Sequence, residues 1–438
     1  MKKSLILLPL VALFLVGCNG DNNDGPLPPP VVVDPNNEQL SGQPKDGDII
    51  KIIHMNDTHG AIEYLPDANE PGMARVAGYV NAKRAEEKTD VVLVSSGDMF
   101  QGSLDSNINQ GKLMIDIMKE MRFDSMSIGN HEFDWGPDVL SDNAAYAMNL
   151  EEGDWAFPFL SGNILNPEGQ YDFGYLSTTF NRGGARVSVI GSIDSGVYNS
   201  IDAAVVEGFS FENATNMVIA EAERLRVAGS DIIIYSTHDA NKEVDSKIAL
   251  YVDAVFTGHS HYDSIATMVG ADSKVVPVIE SFENGKVLGE VDFVYDAESD
   301  SYQLDSYKNI NPLSVTPLVE DEGVKAIYDL YLDSPVQDGP VSSDSLSALK
   351  TDKIGEITSE SDFASGDVIS SSNVRKMFII AQLEAYIDEY DVIASSYNEA
   401  RSSWAVGDIT YSDIYKAFPF DNATVVVEAT GSQLRRWN

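Results

Sequence analysis

Apolar runs of strand length, rich in β-branched residues, alternate with stretches of helical period over most of this chain. The strand-like runs are residues 49–53, 91–94, 187–190, 232–235 and 252–256, and the helical stretches include residues 73–86, 113–121 and 217–227. This order is typical of an α/β domain. Because side chains at the carboxyl ends of such strands converge on one edge of the sheet, ligand-binding residues are expected there.

All six histidines fall in four short polar blocks, and each block follows a strand-like run. The blocks are residues 54–60, 129–134, 236–239 and 258–261, and residues 96–98 form a fifth block that brings a carboxylate without a histidine. Asp57 and His59 are two residues apart, and His259 and His261 repeat that spacing, so each pair can face one point from a loop. His54 precedes the loop of its block, and we expect it to pack or to form hydrogen bonds.

The donors in these blocks predict a site for divalent metal ions. Imidazole, carboxylate and amide oxygen without thiolate suit Zn, Mn, Fe or Co. Seven candidate ligands exceed one tetrahedral site, so one shared carboxylate predicts two ions about 3.5–4 Å apart, which would activate water and neutralise a phosphoryl group. The seven candidates are Asp57, His59, Asp98, Asn130, His238, His259 and His261.

Each of these residues has a simpler interpretation when it is taken alone. An isolated Asn-Asp or Gly-Asp pair is usually a turn, and an isolated histidine after a strand is usually a loop residue with a hydrogen bond. The joint pattern favours metal, because chance would scatter six histidines along 438 positions.

The acidic composition limits the partners. With 29 Lys and Arg against 69 Asp and Glu, the formal net charge is −40. A protein that binds a nucleic acid polymer needs a basic face, so no such partner is expected. Phosphate substrates remain compatible, because bound metal ions supply local positive charge. One cysteine excludes an intrachain disulfide framework.

The N-terminus has the pattern of a secretion signal. Lys2 and Lys3 precede an apolar run, residues 4–16, that is too short to span a bilayer as a helix. The only cysteine, Cys18, ends a Leu-Val-Gly-Cys sequence that resembles a bacterial lipobox. Residues 1–18 are therefore predicted to be a lipoprotein signal with lipid attached to Cys18, and the alternative is a cleaved signal that merely contains a cysteine.

The lipobox resemblance extends to localisation. Asn19 stands where an aspartate would retain a lipoprotein in the inner membrane, which points to the outer membrane and to an extracytoplasmic protein held there only by its lipid. Residues 19–47 are rich in Asn, Asp, Gly and Pro and are predicted to be a disordered tether.

A second unit is predicted after the α/β domain, which spans residues 48–312. Residues 313–350 are predicted to be a linker with an amphipathic helix at 319–332. Residues 351–438 are predicted to be an α+β domain, with a helix and two strands at residues 374–389, 392–396 and 423–428. The sequence stops inside a further helical pattern, residues 431–437, so this domain is expected to be incomplete.

The five blocks, in their order along the chain, resemble the calcineurin-type metallophosphatases. The longer strings at residues 96–103 (Ser-Gly-Asp-Met-Phe-Gln-Gly-Ser) and 128–136 narrow the resemblance to the secreted 5′-nucleotidase/UDP-sugar hydrolase family. It covers residues 48–311 strongly and 351–438 in part. The resemblance implies a sandwich of two mixed sheets flanked by helices, followed by a domain for nucleotide specificity.

The family also implies a role for each matching residue. One metal would be held by Asp57, His59 and His261, the other by Asn130, His238 and His259, and Asp98 would bridge them. His131 would stabilise or protonate the transferring phosphate, and Asp134 would orient His131. Glu132 and Phe133 are expected to be structural.

In the C-terminal unit the resemblance is partial. Phe420 would stack on the base, Asn422 would contact the base, and Arg401 would contact the substrate. Phe420 could instead be a core residue. The glycine-rich stretch expected before the arginine is replaced by residues 396–400 (Ser-Tyr-Asn-Glu-Ala), and His238 is followed by Asp-Ala-Asn where glycine and apolar residues are expected.

These features predict a monomeric two-metal hydrolase of phosphate esters, and the resemblance implies an extracytoplasmic 5′-nucleotidase that converts a nucleoside monophosphate to nucleoside and phosphate. Two alternatives remain open. One is a phosphodiesterase that acts on sugar nucleotides or 2′,3′-cyclic nucleotides. The other is a surface-tethered protein that binds nucleotides without turnover.

Overall fold

The computed structural model describes residues 30–36, 38–40, 42–150, 155–171, 173–239, 244–315, 319–336, 343–358, 363–386, 400–419, 430 and 432. The strands are β1 (Val31–Val33), β2 (Ile49–Met55), β3 (Thr89–Ser95), β4 (Ser125–Ser127), β5 (Phe159–Leu160), β6 (Ile164–Leu165), β7 (Ser177–Arg182), β8 (Ala185–Ile193), β9 (Ser210–Phe211), β10 (Ile232–His238), β11 (Ala254–Thr257), β12 (Asp263–Val269), β13 (Val275–Ser281), β14 (Leu288–Asp296), β15 (Ser301–Ile310), β16 (Lys353–Ile357), β17 (Val368–Ile369), β18 (Trp404–Ala405) and β19 (Gly407–Thr410). The helices are α1 (Met73–Arg84), α2 (Leu104–Asn107), α3 (Lys112–Glu120), α4 (Pro137–Met148), α5 (Thr215–Val227), α6 (Glu322–Asp333), α7 (Leu346–Thr351), α8 (Ser371–Tyr386) and α9 (Tyr411–Ala417).

Two mixed sheets form the larger part of the molecule, which we call the two-sheet unit (residues 48–312). One sheet has the order β1-β7-β8-β10-β11-β13-β12, and the other has the order β15-β14-β2-β3-β4-β5. The strands β8, β10, β11 and β13 are parallel, as are β2, β3, β4 and β5, while the outer hairpins are antiparallel. This arrangement confirms the predicted sandwich.

The strand-like runs are mostly apolar because their strands are buried on both faces. Along β2, Ile50 and Ile52 pack between the two sheets, whereas Ile53 and Met55 pack against the helical layer. Four of the five strand-like runs lie within strands of the structure, the run at residues 252–256 overlaps β11, and the three helical stretches overlap α1, α3 and α5. The helix predicted at residues 319–332 is α6, which begins after Asp321, whose side chain accepts from the Val324 N–H.

The strands that end at the candidate site share one direction. The loops after β2, β3, β4, β10, β11 and β13 therefore open at one edge of the sandwich. The four histidine blocks and the carboxylate block at residues 96–98 occupy five of these loops or strand ends. The sixth loop, after β13, was not identified from the sequence.

The antiparallel hairpin β14–β15 was also not predicted. Its strands carry charged residues, and β15 is exposed along its middle, so they lack the continuous apolar pattern of the inner strands. The carboxylate of Glu290 on β14 is nevertheless buried. Two partners compensate for its burial, because it accepts from the Tyr79 hydroxyl at 2.5 Å and lies 3.0 Å from Lys308 Nζ.

The tether prediction for residues 19–47 is wrong from residue 30 onward. Val31–Val33 adds a short parallel strand to the edge of β7, and the Asn36 side chain exchanges two hydrogen bonds of 2.8 Å with the backbone of Ala156. Three consecutive valines suffice for an edge strand, because the backbone of β7 supplies the hydrogen-bond partners. Residues 1–29, with Cys18, lie outside the described residues.

A smaller unit, which we call the C-terminal unit, follows from residue 353. It contains the two-stranded ladders β16–β19 and β17–β18 together with α8 and α9. Its apolar cluster includes Ile357, Ile369, Val374 and Ile409. The predicted strands at residues 392–396 and 423–428 lie outside the described residues, and so does nearly all of the predicted helix at 431–437.

A second apolar cluster joins the two units. Leu104 and Ile108, which lie in and just after α2, pack with Leu346, Leu349 and Tyr415. Within the residues that the structure describes, no helix is long and apolar enough to cross a membrane.

Candidate metal centre

The candidate ligands converge at the shared edge of the two sheets. Three groups of side chains place their ligand atoms within 4.8 Å of one another. The groups are Asp57 with His59 and His261, His59 with Asp98 and His131, and Asp98 with His238 and His259. His59 and Asp98 each belong to two groups, so the three groups form one continuous cluster.

The first part of this cluster, which we call the Asp57 half-site, consists of Asp57, His59 and His261. His261 Nε2 lies 3.1 Å from His59 Nε2 and 3.2 Å from Asp57 Oδ1. The Asp57 Oδ1 atom is buried and makes no hydrogen bond of good geometry. A buried carboxylate oxygen in that state is costly unless a cation satisfies it, so these three donors fit a metal ion.

The second part, the Asn130 half-site, consists of Asn130, His238 and His259. Asn130 Oδ1 lies 2.8 Å from His259 Nδ1 and 3.1 Å from His238 Nε2, and the two ring nitrogens are 3.2 Å apart. Asp98 Oδ2 lies 3.1 Å from His238 Nε2, and Asp98 also groups with His59. Asp98 therefore stands between the two half-sites.

The outer nitrogens of two rings face backbone carbonyls that fix their tautomers. His59 Nδ1 lies 2.9 Å from the Gln101 carbonyl oxygen, and His238 Nδ1 lies 2.7 Å from that of Ser96. A nitrogen that faces a carbonyl carries the hydrogen, so Nε2 presents its lone pair to the cluster. Histidines that bind metals are held in this way.

Backbone conformation also singles out these residues. The φ angles of Asp57, His59, Asp98, His259 and His261 lie between 48° and 76°. This left-handed region is uncommon for residues other than glycine, and such strain concentrates at functional sites. The loops are thus bent so that these side chains turn back toward the cluster.

Glu132 holds the Asp98 loop in this conformation. Its carboxylate accepts from the backbone N–H groups of Asp98, Met99 and Gly129 at 2.9, 2.8 and 2.7 Å. A Cβ at Gly129 would lie 2.2 Å from Asp98 Oδ1, so only glycine fits there. The predicted structural role of Glu132 is confirmed, and so is that of Phe133, which is fully buried in the core.

His131 and Asp134 form the predicted pair. His131 Nδ1 lies 2.7 Å from Asp134 Oδ2, and the His131 N–H donates to Asp98 Oδ1 at 2.8 Å. Burial alone would lower the pKa of His131, but Asp98 and the hydrogen bond to Asp134 outweigh burial and raise the pKa to about 9. The ring is therefore suited to carry a proton next to an anionic substrate.

The electrostatics of the cluster favour a cation. Burial opposes the charging of His238, yet Asp98 next to it raises the pKa of this ring to about 10. Burial lowers the pKa of His59 to about 4, so this ring remains neutral at pH 7. The carboxylates of Asp98 and Asp57 favour the positive charge on His238, and divalent metal ions bound by the same donors would supply positive charge in place of that proton.

His54 does not belong to the cluster of ligands. Its ring nitrogens lie 2.7 Å from Ser281 Oγ and 2.8 Å from Ser96 Oγ, and it stacks on Phe256 at 4.5 Å between ring centroids. The prediction that it packs and forms hydrogen bonds is confirmed.

The predicted substrate residues are only partly described. Arg401 is exposed in the C-terminal unit, and its N–H donates to the Ala417 carbonyl at 3.0 Å. Phe420 and Asn422 lie outside the described residues. The carbonyl of Pro419 accepts hydrogen bonds from two buried amides of the two-sheet unit, those of Gln101 and Asn107, the latter at 3.2 Å.

Three residues near the site were missed from the sequence: Gln101, Asn107 and Glu283. Glu283 follows β13, and its Oε2 lies 2.8 Å from His261 Nδ1. Its position after a strand that ends at the same sheet edge was the available signal. Glu283 was not identified from the sequence because its loop contains no histidine.

The fold and the cluster define a metallophosphatase. A family model described as calcineurin-like phosphoesterase matches residues 50–263, and one described as 5′-nucleotidase, C-terminal domain, matches residues 353–437. The chain therefore contains a calcineurin-like phosphoesterase domain followed by a 5′-nucleotidase C-terminal domain, which confirms the resemblance found in the sequence.

Similar proteins cover most of the chain. It is 27% identical to the trifunctional nucleotide phosphoesterase protein YfkN of Bacillus subtilis over 90% of its length, and 23% identical to endonuclease YhcR of the same organism over 88%. This chain spans only 27% of the length of YfkN and 32% of the length of YhcR. A 5′-nucleotidase precursor from Thermus thermophilus shares the fold, with a TM-score of 0.62 and 22% identity over 85% of this chain and 74% of that one.

Proposed function

We propose that this protein is a two-metal phosphoesterase that releases phosphate from nucleoside 5′-monophosphates outside the cytoplasm. The observation that carries the proposal is the convergence of carboxylate, amide and imidazole donors within 4.8 Å at one sheet edge, next to the His131–Asp134 pair. The match to a 5′-nucleotidase C-terminal domain supports a nucleotide as the substrate.

Each half-site would hold one divalent ion. The ligands would be Asp57, His59 and His261 for one ion, Asn130, His238 and His259 for the other, and Asp98 for both. When bound, such a pair of ions supplies a nucleophilic water at neutral pH and offsets the charge on the phosphoryl group. The donor set admits Zn, Mn, Co or Fe.

His131 would act on the substrate directly. Because its Nδ1 faces Asp134, Nε2 is the ring atom that would donate to a phosphoryl oxygen. Asp134 keeps the ring oriented and, together with Asp98, favours its protonated form. A fixed, charged donor of this kind stabilises the charge that develops as the phosphate leaves.

The C-terminal unit would bind the nucleoside. Gln101 and Asn107 hold the carbonyl of Pro419, and Gln101 also supplies the backbone oxygen that orients His59. The predicted base contacts Phe420 and Asn422 follow Pro419 in the chain. Arg401 is proposed as a further substrate contact.

Export and anchoring rest on the sequence of the N-terminus. We propose that lipid on Cys18 anchors a monomeric protein to a bacterial membrane, and Asn19 favours the outer membrane. The link between Cys18 and the first described residue, Pro30, then sets the distance of the body from that membrane. A Cys18→Ala protein is expected in the soluble extract, whereas the unaltered protein is expected in the membrane fraction.

A substrate panel tests the proposed activity. Chelator-treated protein would be resupplied with Mn, Zn or Co and assayed for hydrolysis of AMP, UDP-glucose, 2′,3′-cyclic AMP, p-nitrophenyl phosphate and a single-stranded oligonucleotide. We expect AMP to be the best substrate and the oligonucleotide to remain intact.

Other outcomes of the panel would replace the proposal. Preference for UDP-glucose or the cyclic nucleotide would identify a phosphodiesterase, and cleavage of the oligonucleotide would identify a nuclease. Nucleotide binding without hydrolysis under any metal would identify a binding protein.

A further inference from the structure

The two half-sites differ in what holds their outer ring nitrogens. In the Asn130 half-site, His238 Nδ1 faces a backbone carbonyl, that of Ser96. In the Asp57 half-site, His261 Nδ1 faces the carboxylate of Glu283 at 2.8 Å. A carboxylate partner makes a histidine a stronger ligand than a carbonyl partner does, because it adds negative charge behind the ring.

The loop that carries Glu283 is fastened to the same half-site. The N–H of Asn284 donates to the Asp57 carbonyl at 2.8 Å, and the side chain of Asn56 donates to the Phe282 carbonyl at 2.9 Å. Phe282 and Asn284 both have φ near 55°, so the chain is bent sharply on either side of Glu283. The loop therefore holds Glu283 in a fixed position relative to Asp57.

Both carboxylate oxygens of Glu283 have partners. Oε2 lies against His261, and Oε1 lies 3.0 Å from Lys286 Nζ. Lys286 also lies 3.5 Å from Glu70 Oε1, and Glu70 accepts from the Asn284 side chain. The direct contacts with His261 and Lys286 hold the Glu283 side chain in one orientation, with Oε2 directed at His261.

Charge also separates the half-sites. Apart from the shared Asp98, the Asp57 half-site contains the carboxylate of Asp57 and is backed by that of Glu283. The Asn130 half-site offers a neutral amide in the place of Asp57. A divalent ion should therefore be bound more strongly in the Asp57 half-site.

We propose that Glu283 is a positioning residue for His261 and that it makes the Asp57 half-site the tighter of the two metal sites. This inference rests on the proposed two-metal assignment. Glu283 does not touch the ion or the substrate. It fixes the ring with Nε2 toward the cluster and strengthens that nitrogen as a donor.

Binding of Mn²⁺ to the metal-free protein tests the proposal without an activity assay. Electron paramagnetic resonance of the free aqueous ion would count bound Mn²⁺ during a titration. We expect one tight and one weaker ion in the unaltered protein. Removal of an outer partner typically costs 10–100-fold in metal affinity, so Glu283→Ala should weaken the tight class by that factor and leave the weaker class in place.

Two further variants separate contact from general charge. Glu283→Gln keeps an oxygen that can accept from His261 but loses the charge, and it should weaken the tight class less than Glu283→Ala does. Glu70→Gln is the matched control, because it removes one charge from the same neighbourhood while Glu70 contacts Asn284 and Lys286 rather than His261. Its tight class should equal that of the unaltered protein.

Several results would overturn the proposal. They are an unchanged tight class in Glu283→Ala, an equal loss in Glu70→Gln, or two ions of equal affinity in the unaltered protein. Circular dichroism of the metal-free variants would show that each is folded. Two intact Mn²⁺ classes without any phosphate release would contradict the proposed function alone. An active protein in which Glu283→Ala leaves the affinity of the tight Mn²⁺ class unchanged would contradict this inference alone.

Discussion

The two-sheet unit and the C-terminal unit hold their functional residues in different ways. In the first, the candidate ligands follow strands that are buried on both faces, and buried side chains such as Glu132 fix the loops between them. In the second, the described strands form only two-stranded ladders over a small apolar cluster. The proposed metal centre needs fixed loops, whereas the proposed contact surface for the nucleoside does not.

Specific polar contacts join the two-sheet unit to α7 and to the C-terminal unit. In α7, Lys350 Nζ lies 2.7 Å from Glu63 Oε2 and 2.8 Å from Asp105 Oδ1. In the C-terminal unit, the Pro419 carbonyl is bound by Gln101 and Asn107. If the two-sheet unit carries the chemistry and these contacts carry the selectivity, mutations should separate the two properties.

The largest effect should come from the two-sheet unit and should not depend on the substrate. Replacing His131 by Ala removes the donor that we assign to the phosphoryl oxygen, and general acid–base groups contribute about 10²–10⁴-fold. We expect a loss of that size in kcat for AMP and for p-nitrophenyl phosphate alike. Steady-state kinetics with unchanged Mn²⁺ binding would support the assignment.

A selective result would break the comparison. If His131→Ala lost activity toward AMP but kept it toward the nitrophenyl ester, His131 would be a specificity residue and the chemistry would lie elsewhere. Circular dichroism would exclude misfolding as the cause of a general loss.

An intermediate effect is expected where the units meet. Gln101→Ala removes one bond to the Pro419 carbonyl but keeps the backbone oxygen that faces His59. A lost buried hydrogen bond costs about 1–3 kcal/mol, so kcat/KM for AMP should fall roughly 5–160-fold. Hydrolysis of p-nitrophenyl phosphate, which has no base to bind, should change less than about two-fold, because this cost falls on nucleotide binding only.

Asn109→Ala is the matched control for Gln101→Ala. Gln101 precedes α2 and Asn109 follows it, but the Asn109 side chain binds Asp105 and Leu113 within the two-sheet unit. It should leave the ratio of AMP to nitrophenyl ester activity unchanged. An equal loss of both activities in Gln101→Ala would mean that Gln101 supports the metal centre rather than the nucleotide.

The sequence predicted the two units to different depths for physical reasons. The inner strands and the ligand blocks are local patterns: a continuous apolar run, then a polar block at a strand end. Glu283 also follows a strand, but its loop has no histidine to draw attention to it, and the contacts of Glu283 with His261 and of Gln101 with Pro419 join residues that are distant in sequence. Residues 30–36 were misassigned because an edge strand takes its hydrogen bonds from β7, and no pattern within the segment itself reveals that partner.

The smallest expected effect concerns the N-terminal segment, residues 30–40. Its measurement tests whether this segment stays docked on the two-sheet unit. The Glu38 carboxylate lies 2.9 Å from Arg182 on β7, and Asp124, Asp34 and Arg122 also face it. Burial, offset in part by Arg182, raises the pKa of Glu38 to about 7 from an ordinary value of 4.5. The folded state therefore binds this proton more tightly than the unfolded state, so its contribution to stability is present below about pH 4.5 and is lost as the pH rises through 7. Because the side chain is partly solvated, we expect this loss to be about 1 kcal/mol.

Urea unfolding at pH 5 and pH 8 should show this loss of stability in the unaltered protein and not in Glu38→Gln, whose side chain cannot titrate. Equal pH dependence in both proteins would mean that the segment does not stay docked in solution. The sheet that contains β7 would then have β7 as its edge strand.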